Sequence, residues 1–323
     1  MFKGLIPDSA SKIIVAPLYW GLGHATRSIP IIEYLISEGK EVILASDGEA
    51  LELLSQAFPD LPSESLPPYN VRYNGETLTS IIIGNSWNVL SAMIRERRAA
   101  NRLYKKYKPD LIISDSRFGF KHPRTENVIV SHQLNVTSKN KALKYILNAM
   151  NTRLLNSYDA CWIPDTPDHR LSGELSINPR ITNQKFIGPL SRLKKHPISN
   201  DLKYYDVSII LSGPEPARTK MENDLITHFH DTDITICLVR GTTKKDNLHL
   251  PSNWTIIPRA NSKQINDILL SSKKIISRSG YTSIMDYAHL GVASFLLPTP
   301  GQSEQEYLAK KLNGKMGFKL WHY

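Results

Sequence analysis

The sequence predicts an α/β protein built from two tandem, doubly wound domains, and three observations carry that reading. Strand-like and helix-like segments alternate along almost the whole chain. The apolar runs are short and continuous, as in strands buried on both faces of a parallel sheet. The alternation breaks once, at SRLKKHPISNDLKYYD (Ser191–Asp206), which is polar, basic and aperiodic, and then it restarts. With 323 residues the chain is long enough for two domains. The expected division is 1–190, a linker over 191–205, and 206–323.

The first element is the run IIVA inside the strand candidate Lys12–Leu18. Gly21 and Gly23 then allow a tight turn and a close backbone approach to a ligand. A helix follows over Ala25–Ser37, with Ile29, Ile32, Tyr34, Leu35 and Ile36 as its apolar face and Gly39 as its C-cap. Further strands are expected at Glu41–Ser46, Asp110–Ser114, Asn127–His132 and Ala160–Ile163. Helices are expected between them at Glu49–Phe58, Trp87–Tyr107 and Ala142–Asn156. After the break the order is VSIILSG, a helix near Pro216–Phe229, ITICLVRG, WTIIP and a helix near Ser262–Leu270. KKIISRSG, a helix near Thr282–Leu290, ASFLLP and a helix near Glu304–Leu312 complete it. Sheets of this kind bind ligands at the carboxyl ends of their strands, so two such domains face each other across a cleft in the expected architecture.

Hydrophobic content of 41% and charged content of 22% are those of a globular protein. No run reaches the ~18 apolar residues of a membrane span, and MFKGLIPDSASK lacks the apolar core of a secretory signal. Cys161 and Cys237 lie in apolar strand segments and are expected to be buried free thiols in a reducing compartment. The net charge of +10 points to an anionic partner: nucleic acid, acidic lipid or a phosphorylated substrate. Neither a stacking-aromatic module nor zinc-ligand spacing supports nucleic acid.

His24 stands directly behind the G-x-G turn, at a helix N-terminus that welcomes anions and disfavours an imidazolium. A neutral imidazole there is able to accept a proton; the other reading is a structural cap of the turn. A dinucleotide fingerprint fails at its third glycine, where Thr26 stands, although Asp47 follows the next strand as a ribose-binding acid would.

Polar groups recur at the other expected strand ends. SDSRFGF places Asp115 and Arg117 after one strand, and VIVSHQLN places His132 after the next. These are acceptor-side or base-orienting candidates, or else they satisfy loop backbone groups. LSGPEPAR turns at Gly213 and enters a helix through prolines, with Arg218 offering a cation to a phosphate; a plain strand-to-helix turn is the alternative. In IISRSGYTSIMDYAHLG the strand ends at Arg278, Ser279 and Gly280 form a loop, Thr282 caps the next helix and Asp286 follows. A diphosphate on that loop and a ribose on the Asp286 carboxylate would suit it. LLPTPGQSEQEYLAKKL adds Gln302, Glu304, Gln305 and Glu306, groups that suit sugar hydroxyls.

RSGYTSIMD and PTPGQSEQEY resemble the C-terminal, donor-binding domain of the glycosyltransferase family that includes the lipid II-forming N-acetylglucosaminyltransferase (family 28). The G-x-G-H turn is similar to that family's N-terminal glycine loop and also to a turn of UDP-sugar hydrolases. The resemblance is clear at both ends of the chain and loose over Leu61–Asn200. It implies a GT-B fold, a nucleotide-sugar donor, inversion at the anomeric carbon, and no essential metal or other cofactor. Asp286 takes the place of the ribose-binding acid, where a glutamate is usual. Ser279 and Gly280 take the diphosphate loop, Gln305 and Glu306 the donor-sugar pair, and His24 the glycine-loop histidine. The family's chain usually continues past the last motif, whereas this sequence stops at Trp321-His322-Tyr323.

Two stretches compete for attention. HFHDTD (His228–Asp233) imitates a metal cluster but precedes a strand, opposite the ligand ends, and reads as a solvated loop. AMIRERRAANRLYKKYK (Ala92–Lys108) is basic, with Leu90, Met93, Ala100, Leu103, Tyr104 and Tyr107 at helical spacing. That face packs on the domain's own sheet, or else approaches a membrane carrying a lipid-linked acceptor. The expected function is transfer of a sugar, UDP-linked for preference, to an acceptor hydroxyl the sequence does not name, a glycolipid among the candidates. His24 is the first choice of base and Asp115 the second, with Gly21, Gly23, Arg117 and His132 on the acceptor side. Donor contacts fall to Gly213, Arg218, Arg278, Ser279, Gly280, Thr282, Asp286, Gln302, Gln305 and Glu306. The setting is cytoplasmic, with the inner membrane face as an option. The rivals are a nucleotide-sugar hydrolase using the same His24 loop and a non-catalytic nucleotide-sugar-binding protein.

Overall fold

The computed structural model describes residues 2–69, 86–136, 140–197, 203–242, 248 and 250–322. It divides into two compact units, Met1–Ser191 and Arg192–Tyr323. Part of the expected linker, 198–202, lies outside the described residues, as does Tyr323.

In the first unit, β1 (Lys12–Pro17), α1 (Gly23–Ser37), β2 (Glu41–Ser46), α2 (Gly48–Ala57) and β3 (Ser63–Ser65) follow one another. Then come α3 (Ser86–Tyr107), β4 (Leu111–Asp115), β5 (Glu126–Val130), α4 (Lys141–Leu155), β6 (Ala160–Ile163) and β7 (Gln184–Phe186). The sheet order is β3-β2-β1-β4-β5-β6-β7, with every pair parallel. The chain winds outward from β1 in one direction and returns to its other side at β4. A doubly wound sheet leaves a crevice at such a reversal.

The second unit repeats the plan. It contains β8 (Tyr205–Ile210), α5 (Ala217–Phe229), β9 (Ile236–Val239), β10 (Trp254–Ile257), α6 (Ser262–Leu270) and β11 (Ser272–Ser277). α7 (Tyr281–Leu290), β12 (Ser294–Leu296), α8 (Ser303–Leu312) and β13 (Phe318–Leu320) complete it. The order β10-β9-β8-β11-β12-β13 is also parallel throughout and reverses between β8 and β11. The predicted α/β fold with two Rossmann-like units is the one observed.

The strands form where predicted because their side chains are buried on both faces: Ile13, Ile14, Val15, Val42, Ile43, Leu44, Ile112 and Ile113 are all inaccessible. β3, β7 and β13 were not predicted. They are three-residue edge pieces held by pairing with β2, β6 and β12. On α1, Ile36 and part of Tyr34 face outward, so the inner face is Ile29, Ile31, Ile32 and Leu35. On α3 the inward stripe is Ala92, Glu96, Ala99, Ala100 and Leu103, and Leu90, predicted to be inside, is 49% exposed. Ala99, Ala100 and Leu103 pack on Ile14, Ile43 and Ile112, so the basic helix does cover its own sheet. α4 exposes more apolar surface than α1 or α3: Tyr145, Ile146 and Met150 stand on its outer surface. Both cysteines are free and buried, and burial pushes the Cys161 thiol up to about 12 and Cys237 to about 11. Among the described residues no helix is long and apolar enough to cross a membrane.

Candidate active site

In the first unit the crevice at the β1/β4 reversal gathers four titratable side chains. β1 and β4 run side by side with Pro17 opposite Asp115, and the Leu18 N–H donates to the Asp115 carbonyl at 2.9 Å. The chain then turns through Gly21, whose φ of +82° is a left-handed conformation open to glycine, and enters α1. His24 is the second residue of that helix. Its Nδ1 lies 2.9 Å from Asp115 Oδ1.

Asp115 is 1% exposed and held by more than His24. Arg27 Nε donates to Asp115 Oδ2 at 2.5 Å, and Arg27 Nη2 binds Oδ1 in a bidentate pair. The Ser116 hydroxyl donates to Oδ1 at 3.2 Å, from a residue held at φ +61°. Such left-handed backbone in a non-glycine residue carries strain that the neighbouring contacts must offset. Arg27 Nη1 also lies 3.3 Å from His132 Nδ1. The carboxylate, the guanidinium and two imidazoles therefore form one cluster, and Arg27 is its only member that the sequence reading omitted.

Charge in the cluster follows from burial. Burial alone would raise the Asp115 pKa, but the Arg27 cation and then His24 overcome it and hold the carboxyl far below its ordinary range. The bidentate Arg27 pair favours the anionic form of Asp115, which makes His24 the better placed of the two candidate bases. His24 goes the other way. Burial lowers its pKa, Asp115 raises it by less, and Arg27 lowers it further. Among these charges Asp115 acts on the imidazole more strongly than Arg27 does. His24 Nδ1 lies 2.9 Å from both Asp115 Oδ1 and Arg27 Nη2, and the tautomer that donates Nδ1–H to the carboxylate is the one that leaves the Nε2 lone pair available.

A second concavity lies on the same loop. It has a volume of about 510 Å³ and is lined by Leu18, Tyr19, Trp20, Asp47, Leu66 and Tyr69, among others. Gly48, at φ +51°, lets the Tyr19 ring lie against the start of α2; a Cβ there would stand 2.6 Å from Tyr19 Cε1. Asp47 does not stand ready for a ribose. It pairs with Arg117, which also donates to Glu96 at 3.0 Å and to the Pro17 carbonyl at 2.9 Å. Arg117 is completely buried by this network, so its expected place facing a ligand gives way to a structural one. Glu96 completes it by accepting from the Gly119 N–H and the Tyr69 hydroxyl, both at 2.9 Å.

The second unit brings its motif loops together at the β8/β11 reversal. The Ser279 hydroxyl, fully buried, donates to the Gln305 carbonyl at 2.8 Å and so ties the loop after β11 to α8. Gln305 Oε1 accepts from Thr299 N at 2.9 Å, Gln305 Nε2 donates to Gln302 Oε1 at 2.6 Å, and Glu306 Oε1 accepts from Gly301 N at 2.8 Å. The amide and carboxylate assigned to sugar hydroxyls thus hold the PTPGQ turn in this structure. Gly280 is the N-cap of α7, at φ −70° and ψ 138°, and a Cβ added to it would meet nothing within 4 Å beyond its chain neighbours. Thr282 is one residue inside α7 and is not its cap. Asp286 is half-buried on the second turn of α7, within electrostatic reach of Arg192, a residue the sequence placed in the linker.

The two predicted phosphate-binding arginines are committed elsewhere. Arg218 donates to Glu215 at 2.7 Å, Glu222 at 3.3 Å and the Arg240 carbonyl at 3.1 Å, so two carboxylates already balance its charge. Arg278, 6% exposed, donates to the carbonyls of Ala217, Leu297 and Pro298 and stitches the ends of α5 and β12 to β11. Gly213, at φ +98°, turns the chain after β8 with nothing within 4 Å of a would-be Cβ. The HFHDTD loop closes α5 and lies before β9, with His230 Nδ1 2.7 Å from Asp231 in an exposed pair. Among the described residues no group of three His, Cys, Asp or Glu is placed to hold a metal.

Comparison with known proteins agrees with this layout. No protein-family model matches the chain. It is 24% identical over 91% of its length to an uncharacterized glycosyltransferase of Methanosarcina acetivorans, covering 81% of that protein. It is 21% identical over 86% of its length to the UDP-N-acetylglucosamine–N-acetylmuramyl-(pentapeptide) pyrophosphoryl-undecaprenol N-acetylglucosamine transferase of Latilactobacillus sakei, covering 77% of that chain. Among solved structures, the glycotransferase of kitacinnamycin superposes with a TM-score of 0.68 at 14% identity, over 97% of this chain and 86% of that one. The spinosyn rhamnosyltransferase complexed with thymidine diphosphate gives 0.64 at 15% identity, over 93% and 84%. The chain has the GT-B fold and resembles the family 28 glycosyltransferases.

Proposed function

We propose that the protein is an inverting glycosyltransferase that uses a nucleotide-diphosphate sugar, with a UDP-sugar as the first candidate. The observation that carries the reading is the His24–Asp115 pair at the β1/β4 crevice, 2.9 Å apart with Arg27 behind it. In the tautomer that donates Nδ1–H to the buried carboxylate, the neutral imidazole has its Nε2 lone pair free to serve as a general base. In the first unit, Nε2 takes the proton of an acceptor hydroxyl as that oxygen attacks the anomeric carbon. The aromatic-lined concavity beside Trp20 is the place for the rest of the acceptor. The sugar–phosphate bond breaks on the opposite face, and the leaving nucleoside diphosphate carries away the electron pair.

In the second unit, the N-terminus of α7 at Gly280 and the loop of Ser279 receive the diphosphate, where a helix dipole stabilises developing negative charge without reorganisation. Asp286 accepts from the ribose hydroxyls, and the turn of Gln302, Gln305 and Glu306 faces the sugar. Support for a nucleotide-sugar donor comes from the transferase relative, whose name specifies a UDP-linked sugar. The direct test is a panel of nucleotide sugars incubated with and without cell lipid extract. Acceptor-dependent product sustains the proposal. Free sugar released at the same rate without acceptor would make His24 the base for water and the protein a hydrolase.

Two further results are expected. Asp286→Ala should weaken UDP binding by about 1.5–3 kcal/mol, the range for hydrogen bonds to a charged group. Calorimetric titration of a folded variant measures it, and unchanged affinity would remove Asp286 from the donor site. Turnover should also survive EDTA, because the family resembled uses no essential metal and the α7 N-terminus supplies electrostatic stabilisation of the leaving group. Activity abolished by chelation and restored by a divalent cation would overturn that mechanism.

A further inference from the structure

We propose that the groove between α3 and the chain leaving β3 is a second ligand site, one that takes a phosphomonoester or diphosphate group. The groove has a volume of about 520 Å³; it adjoins the concavity beside Trp20 through Ser65 and Leu66 and shares no lining residue with the His24 cluster. One wall carries Arg95, Arg98 and Arg102, which the helical repeat stacks along a single stripe of α3. Ser65 and Pro67 form the other wall, and the small, buried Ala99 leaves room between the arginines.

Two of the guanidinium groups are held across the groove. Arg95 Nη2 donates to the Pro68 carbonyl at 3.1 Å, and Arg102 Nη2 donates to the Ser65 carbonyl at 3.3 Å. Each bond fixes a side chain yet uses one of five N–H donors and neutralises no charge. Arg98 is exposed on the same stripe. Among the described residues the lining contains no carboxylate. Glu64, which senses the charge of Arg102, has its Oε1 bound by Lys106 at 2.6 Å and by Tyr107 at 2.7 Å. Arg117 and Arg218, by contrast, each sit between two carboxylates. Two positioned guanidinium groups and the exposed Arg98 around one concavity, none of them in a salt bridge among the described residues, suit the oxygens of a phosphate better than those of any neutral group. That chemistry is shared by a phosphate-bearing lipid headgroup and by a free phosphorylated compound.

The probe is inorganic pyrophosphate, titrated into the full chain in the presence of saturating UDP so that the proposed donor site does not contribute. Wild type should bind it saturably, and Arg98→Gln/Arg102→Gln should weaken binding by about tenfold for each cation removed. The exposed Arg98→Gln single variant repeats the comparison where the double variant fails to fold. Absence of saturable binding, or equal binding by wild type and a folded variant, overturns the proposal. A second arm sediments the protein with phosphatidylcholine vesicles with and without phosphatidate. Phosphatidate-dependent sedimentation lost in the variant assigns the lipid source. Pyrophosphate binding without sedimentation assigns a free phosphorylated ligand.

Discussion

Replacing His24 by alanine should lower turnover by about 10²–10⁴-fold, the usual contribution of general acid–base catalysis, while nucleoside diphosphate affinity stays nearly unchanged. The imidazole belongs to the first unit, and the proposed nucleotide contacts belong to the second. In wild type the acidic limb of kcat/KM should report the histidine. Burial lowers its pKa, and Asp115 only partly reverses that, so the apparent value should fall below the ~6.5 of a free imidazole. The variant should lose that limb. The check is the pH dependence of kcat/KM for both proteins alongside UDP titrations. Near-normal turnover in a folded variant would remove His24 as the base, and lost UDP affinity with intact turnover would make it a nucleotide contact.

Asp115→Asn should have the largest effect on stability, about 3–5 kcal/mol, because it leaves the Arg27 guanidinium buried and uncompensated. Arg27 is 2% exposed and donates to both carboxylate oxygens; an asparagine keeps one acceptor oxygen and turns the other into an NH2 donor that faces the guanidinium. The pH dependence has a definite sign. The folded Asp115 pKa lies below the ~3.9 of an unfolded aspartate. The unfolded chain therefore binds the extra proton between the two values, and the stabilisation present above pH ~4 is lost as pH falls from there. His24 has the same sign at higher pH: its lowered pKa makes the folded state lose stability as pH drops below ~6.5. Urea unfolding of wild type and variant between pH 3 and pH 7 reads both. A difference between the two proteins that is independent of pH near 4 would show that the Asp115 charge does not contribute.

The sequence made the α/β plan legible because buried parallel strands write themselves as apolar runs. It also made His24 legible, since a histidine behind G-x-G at a helix start has few structural reasons to be there. Strand order was not legible, and strand order is what turns His24, Asp115 and His132 from separate strand-end residues into one cluster. Arg27 was missed because it reads as an ordinary surface charge. Its signal was the spacing of three from His24, which puts both side chains on one side of α1. Glu96 was hidden in the basic run RERR, yet it stands in register with Ala92, Ala99, Ala100 and Leu103. A lone acid on the inner stripe of a basic helix marks a buried partner for an arginine. Arg117 and Arg218 went astray for the opposite reason: a strand-end arginine looks like a ligand until its carboxylates are found. The short strands β3, β7 and β13 carry little apolar periodicity and exist through pairing alone.

The winding order of the first sheet has a consequence during synthesis. β1 is the inner strand between β2 and β4, and its start is fixed by Asp110, whose carboxylate accepts from the Lys12 N–H across 98 residues of sequence. On the ribosome, β1 and β2 emerge long before β4 exists to cover them. Every apolar side chain of that pair must wait, with one edge unpaired, while α3 is still being made. Parallel topologies of this sort close late and are slow to form. The nascent first unit is therefore a natural client for holding chaperones, and chains interrupted before Asp115 should fall to proteolysis or aggregate instead of persisting as a folded half.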